Sequence, residues 1–224
     1  MAIGSAAISA TDGRVPGSRG RATRQRLLES TTKLLASTPW RSIKVIDIAR
    51  EAGTSPATFY QYFENVEQVI LVLAEELIEG AEGVALIVDG DWSERGSWRT
   101  AQRVVKGFAQ YWEDNRAVFR VVELATEEGD LRFHAQRVRA LNAITVAFAR
   151  VISSSDNNNG AAHDGTDAMA LAATLISMLA HIGAHRYGFE FWGIRTAAMA
   201  DSQALVLHLA LTGRPPPATV APDP

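Results

Sequence analysis

Residues 45–63 read Val-Ile-Asp-Ile-Ala-Arg-Glu-Ala-Gly-Thr-Ser-Pro-Ala-Thr-Phe-Tyr-Gln-Tyr-Phe, and this stretch decides the fold. It predicts two short helices joined by a tight turn at Gly53. Glycine tolerates the positive φ that such a turn needs. Ser55 followed by Pro56 is typical of a helix start, because serine caps the first turn and proline suits its first position.

The two predicted helices each present an apolar side for contact with the other. Ile46, Ala49 and Ala52 share one side of the first helix, and the small Ala49 allows close approach. Phe59 and Phe63 lie four residues apart on the second. The remaining side chains of the second helix then point outward, and their short or flat polar groups suit base edges and phosphates. These outward residues are Ser55, Ala57, Thr58, Gln61 and Tyr62.

Helical spacing of apolar residues continues along the chain, for example at Val69, Leu73 and Leu77. No convincing alternating strand pattern occurs, so we predict an all-α fold. Ser42 and Asn65 are the predicted caps of the second and fourth helices. The predicted helices cover residues 20–37, 45–52, 56–62, 66–88, 98–114, 117–126, 130–153, 165–188 and 198–211.

Composition and helical periodicity divide the chain into four predicted regions. Both ends are rich in small residues or proline and lack helical periodicity, which predicts disorder. The regions are a disordered arm at 1–18, a helix-turn-helix domain at 19–66, a helical domain at 67–213 and a disordered tail at 214–224.

Charge is distributed unevenly. Residues 14–50 carry nine Lys and Arg against two Asp and Glu, although the whole chain has a net charge of −3. A polyanion is therefore attracted to the N-terminal quarter and repelled by the rest.

Composition also excludes several kinds of site. The chain has no cysteine, which excludes disulfides and thiolate chemistry. No stretch reaches the roughly 18 consecutive apolar residues of a membrane span, and the start does not resemble a secretion signal. We therefore expect a cytoplasmic protein with no membrane partner.

The run Gly-Thr-Ser-Pro-Ala-Thr-Phe-Tyr-Gln-Tyr-Phe at 53–63 resembles the recognition helix of the TetR family of transcriptional regulators. The helix from Arg24 to Leu35 and the Asp47-Ile-Ala core resemble that family as well, and the similarity covers about residues 20–75. It implies a three-helix N-terminal DNA-binding domain and a C-terminal helical bundle for ligand binding and dimerisation. It also implies a homodimer on a palindromic operator of double-stranded DNA, usually as a repressor.

The resemblance implies a set of DNA-binding residues. The family often has a lysine at the start of the fourth helix, where this chain has Val66, and this departure removes one expected phosphate contact. The expected DNA-binding residues are Arg19, Arg21, Arg24, Ser42, Lys44, Thr54, Ser55, Ala57, Thr58, Tyr60, Gln61 and Tyr62.

The C-terminal half is rich in large apolar residues at helical spacing, and helical bundles often bind ligands between their helices. The resemblance implies an apolar or amphipathic small-molecule effector there. Expected ligand-binding residues are Phe108, Trp112, Phe148, Met178, His181 and His185. A His-x-x-x-His pair alone is a weak metal signal, so no metal and no cofactor are predicted.

By resemblance, the last two helices pair with their copies in a second subunit. The aromatic segment 187–194 is expected to connect them. The apolar stripes expected at this interface are Ala168, Leu171, Ala172, Leu175 and Leu179 on one helix, and Leu205, Val206, Leu209 and Ala210 on the other.

Two other function classes are compatible with parts of the sequence. An enzyme would draw on the carboxylates between Glu123 and Asp130, but the chain has no nucleophile elbow, phosphate loop or dinucleotide fingerprint. A structural adaptor would not need the basic N-terminal quarter. We therefore predict a DNA-binding regulator and not an enzyme.

Overall fold

The computed structural model describes residues 17–154 and 165–216, and within these ranges it contains helices and turns but no strand. The predicted all-α fold is thus confirmed for the described residues. Most of the predicted arm, the tail and the loop before residue 165 lie outside them. The helices are α1 (Ser18–Ser37), α2 (Val45–Glu51), α3 (Pro56–Tyr60), α4 (Val66–Val88), α5 (Ser97–Asp114), α6 (Arg116–Glu127), α7 (Leu131–Ser153), α8 (Ala168–Phe191) and α9 (Thr196–Thr212), with a short 3-10 helix at Trp40–Ser42.

Tertiary contacts group the chain into two compact units. The first takes the residues up to Leu77 together with Arg116–Arg137, and the second takes Ile78–Asn115 with the residues from Val138 onward. The first unit is larger than the helix-turn-helix domain expected at 19–66 because α1 packs against α6 as well as against α2. The domain boundaries drawn from sequence stay predictions.

Local capping follows the sequence at two helix starts. The Ser55 hydroxyl accepts a hydrogen bond from the Thr58 N–H at 3.1 Å, and the Asn65 carbonyl oxygen accepts from the Gln68 N–H at 2.8 Å. Each pairs a backbone donor that the helix itself leaves unpaired. The expected cap at Ser42 is wrong, because Ser42 belongs to the 3-10 helix and Lys44 precedes α2 instead. There the Asp47 carboxylate accepts from the Lys44 N–H at 3.1 Å.

The core of the first unit holds α3 in place. Phe59 and Phe63 are fully buried, with ring centroids 5.7 Å apart, beneath α1 and α2. On α2 the buried aliphatic residue is Ile48, whereas Ile46, expected on the inner side, is 50% exposed. Helix α2 packs against α1 and α3 through Ile48, Ala49 and Ala52, and Ile46 lies outside this buried side.

Packing in the second unit centres on α5, which contacts both α8 and α9. Its buried residues recur every three or four positions, as an amphipathic helix requires. Gly183 lets α8 approach closely, since a Cβ there would lie 2.8 Å from the Trp112 ring. The buried residues of α5 include Ala101, Val104, Val105, Phe108, Tyr111 and Trp112.

Helix α8 differs from its prediction in extent and in orientation. It continues to Phe191, so most of the aromatic segment expected as a connection is helical. Ala172, Leu175 and Leu179, expected at a subunit interface, are buried inside the second unit.

By length and composition, helix α8 is also long and apolar enough to cross a membrane, and little of it is buried. The sequence has no uninterrupted apolar stretch of this length here because polar residues such as Thr174 and His181 divide the apolar residues of α8. Length and composition alone are weak evidence for a span, because core helices of soluble proteins meet them too. Its contacts with α5 and α9 are those of a packed helix with one face uncovered.

The turn between α2 and α3 depends on Gly53, whose φ is +64°. An L side chain in this conformation costs about 1–2 kcal/mol, so Gly53→Ala should lower the free energy of unfolding by that amount in urea titrations. Gly83→Ala is the matched control: Gly83 lies within α4 with open space around it, and alanine there should raise stability by about 0.5–1 kcal/mol. Equal effects at the two positions would contradict a strained turn.

Candidate DNA-binding surface

The outward side of α3 and the turn before it form one surface, which we call the reading surface. Tyr60 is 54% exposed, while Thr54, Thr58 and Tyr62 are half-buried at its margin. All of its residues were expected from sequence, and their role in DNA binding stays a prediction. The reading surface consists of Thr54, Ser55, Ala57, Thr58, Tyr60, Gln61 and Tyr62.

Buried aromatic packing orients the reading surface. The Phe59 ring lies in the core, and the Tyr60 ring meets it edge-on with centroids 5.6 Å apart. The hydroxyls of Ser55 and Thr58 lie 3.0 Å apart and bond each other. Ser55 and Thr58 are therefore positioned before any ligand arrives, while Tyr60 projects furthest outward.

Ion pairs reduce the positive charge available in the basic N-terminal quarter of the chain. The side chains of Lys33, Arg41 and Arg50 pair with Glu51, Glu128 and Asp47, respectively. The Arg41–Glu128 pair lowers the pKa of the Glu128 carboxyl, chiefly through its hydrogen bond. Simple charge counting therefore overstates the free cations in this quarter of the chain.

Lys44 is exposed at the start of α2 and has no ion-pair partner among the described residues. Ser42 is exposed two residues earlier. The ammonium of Lys44 thus remains available to an anion, and the expected phosphate-binding role of both residues stays a prediction.

The three arginines expected near the N-terminus all lie on α1. Arg19 and Arg21 are exposed, whereas Arg24 is half-buried with its guanidinium carbon 5.2 Å from the Phe63 ring centroid. Burial lowers the pKa of Arg24, although Glu76 and Glu75 oppose the shift. Arg24 is thus partly a packing residue, and an extended arm would have to begin before α1.

The expected ligand-binding residues lie in the second unit, but the structure gathers only some of them. Phe108 and Trp112 are buried and stacked, with centroids 5.8 Å apart. Phe148 is buried on α7, and Met178 is half-buried on α8. These four residues are the apolar part of the expected set.

His181 and His185 are different, because both are exposed on α8 with ring centroids 4.4 Å apart. Among the described residues no group of three His, Cys, Asp or Glu side chains is placed to hold a metal ion. The pair therefore lies on a surface and not among the buried aromatic residues.

Sequence reasoning missed a buried histidine of the second unit. His208 is 2% exposed, packs edge-on against Trp98 at 5.7 Å, and neither ring nitrogen has a hydrogen-bond partner. Its position between two leucines gives no local signal. The four-residue spacing from the buried Ala204 and to the buried Thr212 is the pattern that would have placed it inside.

The outer sides of α8 and α9 are exposed; α9 carries large apolar residues there, and α8 carries mostly small or polar ones. On α9, Leu205, Val206 and Leu209 are between 37% and 43% exposed, and Met169 near the start of α8 is 50% exposed. Contiguous exposed apolar residues of this kind mark interaction surfaces in soluble proteins. We call the exposed sides of α8 and α9, including Met169, Leu205, Val206 and Leu209, the outer face.

Two family models match this chain. Residues 27–73 match the bacterial regulatory proteins of the tetR family, and residues 84–218 match the tetracyclin repressor-like C-terminal domain. The first match covers α2, α3 and most of α1, and the second covers more than half of the chain.

A curated relative and several solved structures agree with these matches. The HTH-type transcriptional regulator EthR of Mycobacterium tuberculosis is 30% identical over 102 residues, which are 44% of this chain and 46% of EthR. The matched region therefore spans about half the length of this relative. All of these similar proteins are described as transcriptional regulators and none as an enzyme.

Among solved structures, FadR from Bacillus halodurans has a TM-score of 0.62 at 14% identity, covering 88% of this chain and 97% of that one. FadR from Bacillus subtilis has a TM-score of 0.64 at 14% identity over 85% and 98%. A TetR-family regulator from Mesorhizobium loti has a TM-score of 0.63 at 19% identity over 88% and 98%. The similarity to these solved structures supports the fold, and the two family models identify the family. The chain belongs to the TetR family of bacterial transcriptional regulators.

Proposed function

We propose that this protein is a cytoplasmic transcriptional repressor that binds a palindromic DNA operator as a homodimer and is released by an apolar or amphipathic small molecule. The proposal rests on the reading surface, a set of exposed and half-buried, mostly polar side chains on and beside a helix fixed by buried phenylalanines. Such a helix enters the major groove, where side chains distinguish base pairs by hydrogen bonds and apolar contacts.

Residues of the reading surface and its surroundings fall into two groups, those suited to base edges and those suited to phosphates. Tyr60 and Gln61 are exposed near the end of α3 and suit contacts with base edges. Ser55 and Thr58 already bond each other, which suits a fixed contact with a phosphate oxygen. Lys44, Ser42, Arg19 and Arg21 supply further phosphate contacts, which raise affinity without reading sequence.

Selection of random DNA duplexes by the purified protein, followed by sequencing of the bound pool, tests the proposal. We expect enrichment of a two-fold palindrome, and loss of that enrichment in the double variant Tyr60→Ala, Gln61→Ala. Tyr60 is exposed beside the buried Phe59, so the variant should keep the thermal unfolding transition. No enriched sequence at low salt from folded wild-type protein would contradict sequence-specific binding.

Salt dependence tests the phosphate role of Lys44. In Lys44→Ala the slope of log affinity against log salt should fall by about 0.9, the value for one phosphate contact. Selected and random duplexes should weaken alike. Lys33→Ala is the matched control, because Lys33 is paired with Glu51 and should leave the slope unchanged. Altered sequence preference in Lys44→Ala would instead assign Lys44 to base readout.

Homodimerisation is proposed through the outer face of α8 and α9. Small or polar residues line the exposed side of α8 at helical spacing, including Ala170, Thr174 and Ser177, and they permit close approach of a second helix. The leucines of α9 add apolar area. His181 and His185 are exposed on the same helix and, in this proposal, belong to the subunit interface. A two-fold dimer presents two reading surfaces to two half-sites.

The double variant Leu205→Glu, Leu209→Glu tests the interface. Placing four charges across a two-fold apolar contact is unfavourable, so we expect a monomer by light scattering with an unchanged helical circular dichroism spectrum. Leu86→Glu on α4 is the control, since Leu86 is 74% exposed and lies outside the outer face. Persistence of a folded dimer in the double variant would exclude this interface.

The effector is proposed to bind beside the buried aromatic residues of the second unit. Phe108, Trp112, Phe148 and Met178 offer an apolar lining suited to an aliphatic or aromatic body. Among proteins of similar fold, FadR from Bacillus subtilis was solved with stearoyl-CoA and FadR from Thermus thermophilus with lauroyl-CoA. Those ligands support an amphipathic effector, and a long-chain acyl thioester is the first compound to test for binding.

A further inference from the structure

A groove lies entirely within the first unit, apart from the reading surface and from the expected ligand-binding residues. Its volume is about 470 Å³, within the usual range of small-molecule sites. The C-terminal end of α1, the 3-10 helix and α6 form its walls. The lining residues are Ser37, Thr38, Pro39, Trp40, Arg41, Arg120, Val121 and Leu124.

The apolar part of the groove is firmly built. Trp40 is half-buried, with its ring 6.3 Å from that of the fully buried Phe133. Val121 is buried, whereas Leu124 is 41% exposed. The exposed Leu124 and the Trp40 ring, which packs against Phe133, together offer apolar contact area to a ligand.

The polar part of the groove carries net positive charge. The Arg41 guanidinium lies 4.9 Å from the Trp40 ring centroid, and its charge is matched by Glu128. Arg120 donates a hydrogen bond to the Leu35 carbonyl near the end of α1 and has no carboxylate partner among the described residues. One guanidinium thus remains unneutralised by any described side chain, and it has further donors beyond the one used.

We propose that this groove is a second small-molecule site, which binds an amphipathic monoanion. The apolar body of the ligand packs on Trp40 and Leu124, and its carboxylate accepts hydrogen bonds from Arg120. A guanidinium suits a carboxylate because its donors match the two oxygens. Neutral apolar compounds of the same shape lack this contact and bind more weakly.

Occupation of the groove would tie α6 to the segment that leads into α2. That segment runs from Ser37 through the 3-10 helix to Lys44, the phosphate contact of the proposed function. Binding to the groove itself needs no DNA, so it can be measured whether or not the protein binds an operator.

The experiment uses the full chain labelled with 5-fluorotryptophan and observed by fluorine NMR. The chain has five tryptophans, and Trp40→Phe identifies the Trp40 resonance. The probe is 2-naphthoate, a flat apolar monoanion, and 2-naphthamide is its neutral counterpart. We expect a saturable shift of the Trp40 resonance by naphthoate, and binding of the amide weaker by about tenfold or more, as expected for a charge-assisted contact.

Two variants and two controls locate the site. Arg120→Gln removes the free charge and Leu124→Glu introduces a repelling one, so each should weaken naphthoate binding by about tenfold or more. Arg103→Gln on α5 and Leu86→Glu on α4 change exposed residues that do not line the groove and should leave the titration unchanged.

Two results would overturn the proposal. One is a Trp40 resonance that does not move at millimolar naphthoate while the protein remains folded. The other is equal affinity in Arg120→Gln, Leu124→Glu and the wild type, which would place the ligand elsewhere. A groove that binds naphthoate in a protein without operator binding would refute the proposed function and leave this site standing.

Discussion

Burial of Phe59 and Phe63 fixes the position of α3 in the first unit. Helix α3 has only five residues, too few to be stable alone, so its position follows from the side chains it buries. The same short helix must present polar groups on its other side. The phenylalanines therefore do more than fill a core, because their packing sets the direction in which Tyr60 and the hydroxyls of α3 point.

Electrostatics of this unit are decided by pairing more than by composition. Three of the basic side chains that made the N-terminal quarter positive are bound to carboxylates, one of them on the turn after α6. Such pairs contribute little stability at an exposed surface, but they remove free positive charge from the N-terminal quarter of the chain. The cations that stay unpaired, such as Lys44 at the start of α2, are consequently the ones with most effect on a nearby polyanion.

The second unit is organised by an excess of apolar surface. Helix α5 takes one side of α8 and α9 into the core, and their other sides remain exposed, with large apolar residues on α9 and mostly small or polar ones on α8. In the proposed homodimer, one side of α8 packs on α5 and α9 of its own chain and the other side is covered by a second copy. The first unit shows a smaller version of the same feature at Leu124, where apolar area meets an arginine without a carboxylate partner.

Sequence predicted the approximate extent of the helices, the turn at Gly53 and the caps at Ser55 and Asn65, because periodicity and local backbone chemistry specify these features. The places of Thr54 and Tyr60 on the reading surface were expected only from the family resemblance. Tertiary structure alone decided that Ile48 and not Ile46 is buried, and that α8 turns Leu175 and Leu179 inward. It also decided which cations are neutralised, since Lys33 meets a carboxylate 18 residues away and Arg41 one 87 residues away. Contacts between residues so distant in the chain depend on how helices pack, which periodicity within each helix does not specify.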